Sequence, residues 1–219
     1  NSAQTVTVTG VDDNLVDGTQ TSTITVAVND GSSDNNFDPV VDQTVSVTTT
    51  DNDTAGFTIA QSGGSTSVSE SGTTDTFTIV LNAQPSSNVV FSIASSDTGE
   101  ATVISTLEFT ASNWNSAQTV TLTGVDDNII DGTQNSTTTV SIIDAITDDA
   151  FDGVADQTVS VTTTDNDVAG FTIAQSSGST SVAETGTTDT FTVVLNAQPA
   201  SNVVISVASG DTGEATVSP

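Results

Sequence analysis

The sequence repeats itself with a period of 114 residues, and this repeat limits the possible folds more than any other feature. The stretch from Asn1 to Asn14 returns as Asn115 to Asn128 with one change, an offset of 115 − 1 = 114 residues. The stretch 55–103 returns as 169–217 with the same offset, 169 − 55 = 114, and with eight differences. A self-similarity of this length indicates that the unit is one domain, of which the chain holds just under two periods.

Two matching acidic stretches mark the joints between the copies. Asp51-Asn52-Asp53 and Asp165-Asn166-Asp167 each end a run rich in Val and Thr, and an apolar strand pattern follows at once. Cutting there gives the C-terminal part of one repeat (1–54), a complete repeat (55–167) and the N-terminal part of the next (168–219). We call these the leading segment, the central repeat and the trailing segment. The first residues have a strand-like and not a leader-like pattern, so we expect a piece of a longer secreted protein.

Apolar residues alternate with Thr and Ser throughout the central repeat, which is the period-two pattern of β-strands. Thr is β-branched, so it suits a pleated surface while remaining polar enough to face water. The pattern predicts an all-β fold, a tandem antiparallel β-sandwich of immunoglobulin-like build, with Trp114 and the Phe residues filling the core. The predicted strands are centred on Phe57/Ile59, Phe77/Ile79/Leu81, Val89/Phe91/Ile93, Leu107/Phe109, Val120/Leu122, Val140/Ile142 and Val159/Val161.

The charge of the chain has one sign. There are 28 Asp and Glu residues and no Lys, Arg or His, so the formal net charge is −28. Each carboxylate must be solvated, hydrogen-bonded to a neutral group or neutralised by a cation from solution, and self-repulsion opposes compaction. Nucleic acid is excluded as a partner because no basic side chain can displace its counterions, and the apolar runs are too short for membrane insertion. We expect no enzyme, since nucleophilic triads and Schiff-base chemistry need His, Cys or Lys.

The acidic residues of the central repeat fall in four loops. Because alternate turns of a sandwich open at the same end, these loops can converge on one tip, beside the joint to the next domain. Hard carboxylate oxygens suit calcium, whereas magnesium seldom uses an all-protein cage, and the lack of His and Cys disfavours zinc, copper and iron. The alternative is that these residues are ordinary turn formers. The candidate ligands are Glu70, Asp97, Asp126, Asp127, Asp131, Asp165 and Asp167.

Three stretches of the central repeat share the pattern of a known family. They are Asp75 to Leu81 (DTFTIVL), Leu107 to Phe109 leading to Trp114, and Gln118 to Asp127 (QTVTLTGVDD). This arrangement resembles the Calx-beta family and the related tandem β-sandwich repeats of giant bacterial surface adhesins. The resemblance covers the whole repeat unit.

The resemblance implies calcium at the sandwich tip, held by an early Glu, an Asp after the third strand, a late acidic loop and a terminal Asp cluster. Carried onto this sequence, these ligands are Glu70, Asp97, Asp126, Asp127, Asp165 and Asp167. The leading segment holds the matching residues Asp12, Asp13, Asp17, Asp51 and Asp53, and the trailing segment holds Glu184 and Asp211. Neither of these segments contains a full ligand set.

The function that we expect is structural. Such a chain is a spacer of a large secreted or cell-surface protein, of bacterial and adhesin type, in which calcium at the joints stiffens an extended rod. Its partners are the neighbouring repeats of the same chain. One alternative is a ligand- or carbohydrate-binding module that uses the exposed loops. The other is a filament subunit that assembles head to tail, because the two part-repeats expose unpaired strand edges.

Overall fold

A computed structural model describes residues 2–218, so the predicted outer ends of the leading and trailing segments, Asn1 and Pro219, lie outside the described residues. Within that range the regular structure is almost all β, and no helix is long and apolar enough to cross a membrane. The strands are β1 (Gln20–Val26), β2 (Gln43–Thr49), β3 (Phe57–Gln61), β4 (Thr66–Ser69), β5 (Thr74–Leu81), β6 (Val89–Ser95), β7 (Ala101–Val103), β8 (Thr106–Phe109), β9 (Gln118–Gly124), β10 (Gln134–Ile142), β11 (Gln157–Thr164), β12 (Phe171–Gln175) and β13 (Phe191–Leu195). Single turns of 3-10 helix cover Asp30–Ser32, Ser62–Gly64, Asp144–Ile146, Asp149–Phe151 and Ser176–Gly178.

The strands of the central repeat form two sheets. One sheet has five strands in the order β4-β11-β10-β6-β8, and the other has four in the order β3-β5-β9-β7. Neighbouring strands are antiparallel except β4 and β11, which are parallel. The predicted all-β sandwich is therefore confirmed, and each of the predicted strands is present. Strands β4 and β7 are additional to the prediction.

The inward-facing side chains of both sheets meet in one core. Phe91 lies at its centre, edge-to-face with Phe57 and with Phe109 at ring-centroid distances of 4.9 and 5.9 Å. In β9 the apolar residues are buried, while the Gln and Thr residues between them are exposed or half-buried, as the alternating pattern requires. Trp114 is half-buried and packs against the rim of the core.

The chain changes sheet between β3 and β4, and this change positions the acidic tip. β3 pairs with β5 in one sheet, and after a 3-10 turn β4 pairs with β11 in the other. Because β4 and β11 are parallel, both strands end at the same tip, with Ser69 opposite Thr164. The amide of Glu70 continues this pairing by donating to the carbonyl of Thr164 at 3.1 Å. Glu70 therefore emerges beside the terminal acidic stretch 165–167.

The leading and trailing segments each form one two-stranded antiparallel sheet. We use the word counterpart for the residue or strand 114 positions away. β1 and β2 are the counterparts of β10 and β11, and β12 and β13 are the counterparts of β3 and of the second part of β5. The two segments thus contain different portions of the same sandwich.

The same backbone contact connects each end segment to the central repeat. At one joint the amide of Gln84 donates to the carbonyl of Asn14 at 2.7 Å, and the amide of Val16 donates to the carbonyl of Gln84 at 3.0 Å. At the other joint Gln198 makes the equivalent two backbone hydrogen bonds to the β9–β10 loop. In one of them the amide of Ile130 donates to the carbonyl of Gln198 at 3.2 Å. Gln84 follows β5 and Ile130 follows β9, and these strands are antiparallel. The two joints therefore lie at opposite ends of the central repeat.

Candidate metal centre

Three acidic side chains meet at the tip where β4, β9 and β11 end. One carboxylate oxygen from each of Glu70, Asp127 and Asp167 lies within 4.8 Å of the other two. Within residues 2–218, no other group of three acidic side chains has this geometry. Calcium–oxygen distances are about 2.3–2.6 Å, so ligands on opposite sides of one ion are about 5 Å apart. The three oxygens are therefore close enough together to hold one metal ion.

A close approach between two strands brings Asp127 to Glu70. Gly124 ends β9, and a Cβ atom at this position would lie 2.1 Å from the carbonyl oxygen of Ser69, at the end of β4. No other residue fits here, because contacts this short are forbidden to any side chain. The glycine thus allows the β9–β10 loop, which carries Asp127, to lie beside the residue that follows β4.

Backbone amides fix the terminal acidic stretch. The carboxylate of Asp165 accepts hydrogen bonds from the amide of Asp167 at 2.6 Å and from the amide of Gly132 at 2.8 Å. The amide of Asn166 donates to Glu70 Oε2 at 3.1 Å. Asp165 therefore holds the loops together through its own oxygens, and this arrangement turns Asp167 towards the cluster.

Glu100 belongs to this tip, and the sequence analysis missed it. Its side chain is only 8 % exposed, and its Oε2 has no hydrogen-bond partner among the described residues. It stands directly before β7, and its backbone carbonyl accepts from the amide of Val125 at 2.9 Å. The signal available in the sequence was the pair Asp97-x-x-Glu100, which returns as Asp211-x-x-Glu214. An unpaired buried carboxylate is costly, so this oxygen needs a proton or a cation.

The electrostatics of the tip favour uptake of positive charge. Burial raises the pKa of the Glu70 carboxyl above its ordinary value, and the negative charges of Asp165 and Asp127 raise that pKa further. Burial first, and then neighbouring negative charges, also raise the pKa of Glu100, where Asp131 and Glu70 act most strongly, and the pKa of Asp167, where Asp165 and Asp126 do. Asp165 behaves in the opposite way, because hydrogen bonds from backbone amides, first that of Asp167, lower its pKa. The chain has no basic residue to balance these charges.

The other predicted ligands of the central repeat lie around this cluster without joining it. Asp126 is exposed and accepts a hydrogen bond from the side-chain amide of Asn166 at 2.9 Å. Asp97 is exposed, and its carboxylate accepts from the amide of Gly99 at 3.0 Å. Asp131 is exposed in the β9–β10 loop. Asp165 acts through the backbone hydrogen bonds described above.

The predicted ligands of the end segments do not form clusters of three within residues 2–218. In the leading segment Asp51 accepts from the amides of Gly18 and Asp53 at 2.7 Å each, as Asp165 does in the central repeat. In the trailing segment Glu184 and Asp211 are exposed. A groove of about 860 Å³ in the leading segment is lined in part by Asp12, Asp13, Asp17, Asp51 and Asp53.

No protein-family profile matches this sequence, and no curated protein matches it. The solved structures with a similar chain path include domains 4 and 5 of the S-layer protein SbsC, with a TM-score of 0.38, 22 % identity, and coverage of 66 % of this chain and 58 % of that one. Domains 1–6 of SbsC match with a TM-score of 0.35 and 19 % identity, over 70 % of this chain and 23 % of that one. The E. coli chaperone DraB matches with a TM-score of 0.37 and 6 % identity, over 53 % of this chain and 59 % of that one. This chain thus spans less than two thirds of each of these structures, and the resemblance to the Calx-beta family stays a prediction.

Proposed function

We propose that this chain is a structural spacer in which calcium, bound at the tip of each repeat, stiffens the joint to the next repeat. The observation that carries the proposal is the cluster of Glu70, Asp127 and Asp167, with the buried carboxylate of Glu100 in the same tip. Several carboxylates in a partly buried site without a basic neighbour favour a divalent cation that prefers oxygen ligands. Calcium fits better than magnesium, because an all-protein oxygen cage is unusual for magnesium.

The site and the joint share one loop. The carboxylate of Asp127 accepts a hydrogen bond from the amide of Ile129 at 2.6 Å, and Ile129 forms an isolated β-bridge with Gln198 of the trailing segment. The amide of Ile130 adds the hydrogen bond to Gln198. An ion bound by Asp127 therefore fixes the segment that contacts the next repeat. Without the ion, repulsion between the carboxylates loosens the same loop, and the joint becomes flexible.

We also propose that the parent protein is secreted or attached to a cell surface, as a bacterial adhesin-type rod. Calcium sites of extracellular modules work at free concentrations of about 10⁻⁴–10⁻³ M. A charge of −28 on 219 residues without a basic partner suits a chain that depends on such a supply of cations. The Calx-beta-like pattern of the repeat agrees with this assignment.

Thermal melting with calcium, magnesium and a chelator tests the calcium site. At a free concentration 100 times the dissociation constant, bound calcium adds about 2.7 kcal/mol to the free energy of unfolding. For a repeat of about 110 residues, with about 2.1 cal/mol/K of unfolding entropy per residue, this raises the Tm by about 12 °C. Small-angle scattering measures the joint separately, and we expect calcium to narrow the distribution of molecular lengths.

The matched variants are Asp127→Asn and Asp156→Asn. Both remove one negative charge, but Asp156 is exposed and lies directly before β11, at the opposite end of the sandwich from the cluster. Asp127→Asn should abolish the calcium shift, and Asp156→Asn should keep it. Equal calcium shifts in the two variants would mean that calcium acts only by general screening, and the proposal would be wrong.

A further inference from the structure

The chain enters the central repeat at one end and leaves it at the other. At the first joint the carbonyl of Gly56 accepts a hydrogen bond at 2.9 Å from the amide of Asn82, two residues before Gln84. The chain leaves through the acidic stretch 165–167, at the opposite end of the sandwich. Tension on a spacer built from such repeats therefore stretches each repeat along the direction of its strands.

The first and the last strand of the five-stranded sheet lie side by side and run in the same direction. β4 pairs in parallel with β11, from Thr66 opposite Val161 to Ser69 opposite Thr164. Among the described strands, β11 is the one neighbour of β4 in this sheet. Tension pulls β4 back towards the first joint and pulls β11 forwards at the tip. The two strands must then slide past each other, so their four residue pairs are loaded together and not one after another.

β3 precedes β4 in the path of the load and is sheared in the same way in the other sheet. It pairs with β5 over Phe57–Gln61 and also runs from the first joint towards the tip. The chain then crosses to β4 through the 3-10 turn Ser62–Gly64. Asp75 fixes this crossing, because its carboxylate accepts hydrogen bonds from the hydroxyl of Ser62 and from the amide of Ser67. If β3 yields, the load passes to β4 and its pairing with β11.

Buried side chains protect the contact between β4 and β11 from water. Val68 on β4 is buried, as are Val161 and Thr163 on β11. Beyond the last residue pair, the amide of Glu70 adds a hydrogen bond to the carbonyl of Thr164 at 3.1 Å. Hydrogen bonds in such surroundings are stronger than in water, because the local dielectric constant is low.

We propose that the central repeat is a load-bearing module, and that the parallel pair β4–β11 is its mechanical clamp. The clamp joins the segment through which tension enters the five-stranded sheet directly to the strand through which tension leaves the repeat. Survival under force is governed by the rate of unfolding, and the sliding of these two strands sets that rate.

The acidic cluster lies across the end of this clamp, and this second step rests on the proposed calcium function. Glu70 directly follows β4, and Asp167 follows β11 by three residues. One carboxylate oxygen of each lies within 4.8 Å of the other and of one from Asp127. An ion bound there joins the two strands and must be released before they slide. Calcium thus resists tension within the repeat in addition to stiffening the joint.

Single-molecule stretching of the whole chain between two introduced cysteines tests the clamp, because the chain has no cysteine of its own. Thr54→Cys with Val168→Cys puts both attachment points on exposed residues at opposite ends of the central repeat. The leading and trailing segments are present but carry no load. Unfolding of the repeat releases up to about 410 Å, from 168 − 54 = 114 residues at about 3.6 Å each.

The matched control is Thr54→Cys with Asp156→Cys. Asp156 is exposed and directly precedes β11, at the same end of the sandwich as Thr54. Pulling there separates the strands from one end, one residue pair at a time. In chelator we expect the first attachment to withstand about two to four times the force of the control, since four residue pairs share the load. Equal unfolding forces would overturn the clamp.

Calcium tests the second step. At a free concentration 100 times the dissociation constant, about one site in a hundred is empty, so the lifetime at constant force should rise by up to about 100-fold in the first attachment. It should change little in the control, where the first contacts break at the end far from the cluster. Glu70→Gln should abolish the gain, and Glu108→Gln, the same change at an exposed residue, should keep it.

The outcomes separate this inference from the proposed function. A calcium shift in melting without a longer lifetime in the first attachment would overturn the ion's role in the clamp and leave the calcium site intact. No calcium shift in melting would overturn the calcium function and this second step with it. The comparison of the two attachments in chelator decides the clamp in either case.

Discussion

Replacement of Glu70 by Gln should have opposite effects on stability with and without calcium. The side chain is 1 % exposed, and its carboxylate lies within 4.8 Å of those of Asp127 and Asp167. Gln has the same shape, and its oxygen can still accept the hydrogen bond from the Asn166 amide. The substitution therefore removes a buried negative charge and little else. In the absence of calcium this charge is a source of repulsion, and in the proposed calcium site it is a ligand.

The size of the effect follows from the geometry. At 4.8 Å and an effective dielectric constant of about 20, two carboxylates repel by about 3.5 kcal/mol. Proton uptake by a carboxyl with a raised pKa relieves part of this repulsion, so we expect a gain of about 1–3 kcal/mol in chelator at pH 7. With an unfolding entropy of about 2.1 cal/mol/K per residue over about 110 residues, the Tm rises by about 4–13 °C. In calcium the variant should lose most of the ion-dependent stabilisation, about 2.7 kcal/mol at 100 times the dissociation constant.

Melting by circular dichroism in chelator and in calcium measures both effects, and calorimetric titration measures calcium binding directly. Glu108→Gln is the matched control, because it makes the same chemical change at an exposed residue of the edge strand β8. The control should melt like the wild type under both conditions. If Glu70→Gln lowered the Tm in chelator and kept the full calcium shift, repulsion at this tip would be refuted.

Three further predictions concern pH, backbone spacing and the core. Because burial and neighbouring charges raise the pKa of Glu70 and of Asp167, the folded chain without calcium binds protons more tightly than the unfolded chain. The stability of the calcium-free chain should therefore fall as pH rises from the ordinary Glu pKa of 4.5 through the raised pKa values. Calcium-bound protein should instead lose stability on acidification. Melting from pH 4.5 to 7.5 measures both dependences. Gly124→Ala should weaken calcium binding at least tenfold in titration calorimetry, because its Cβ would lie 2.1 Å from the carbonyl of Ser69, and equal affinity would contradict this. Phe91→Ala should cost about 3–5 kcal/mol in urea denaturation, since the ring is fully buried between two others, and a loss under about 1 kcal/mol would contradict the packing.

The sequence was sufficient to predict the strands in which apolar and polar residues alternate, and insufficient for β4 and β7, which show no such alternation. Val120 and Leu122 predict β9 because apolar and polar residues alternate over its length, and the structure confirms it. β4 (TSVS) contains a single apolar residue and β7 (ATV) has only three residues, so neither shows a recognisable alternation, whereas the four residues of β8 include Leu107 and Phe109. The parallel pairing of β4 with β11 is determined by tertiary packing, and no pattern in the local sequence predicts it. It is nevertheless the feature that brings Glu70 to the terminal acidic stretch.

The candidate site was predictable in its location and less so in its members. Acidic loops on alternate turns identify the tip, but spacing alone does not tell which carboxylates face inward. Asp165 and Asp167 are two residues apart in one motif. The carboxylate of Asp165 accepts hydrogen bonds from backbone amides, whereas the carboxylate of Asp167 faces the cluster. Glu100 is the last residue of a turn and looks like a surface residue, although it is buried. Such differences depend on side-chain direction, which the loop conformation determines.

The absence of basic residues gives the repeats a common physical design. No basic side chain of this chain can neutralise a buried carboxylate, so in the proposed function an ion from solution stabilises the tip. Each joint then transmits this dependence through a few backbone contacts, because Gln84 and Gln198 each bond to the loop that carries the acids of the preceding repeat. Contacts of this kind reach only the nearest neighbour, as in other repeat arrays. A rod built in this way should stiffen joint by joint as calcium rises, with little cooperativity between distant repeats.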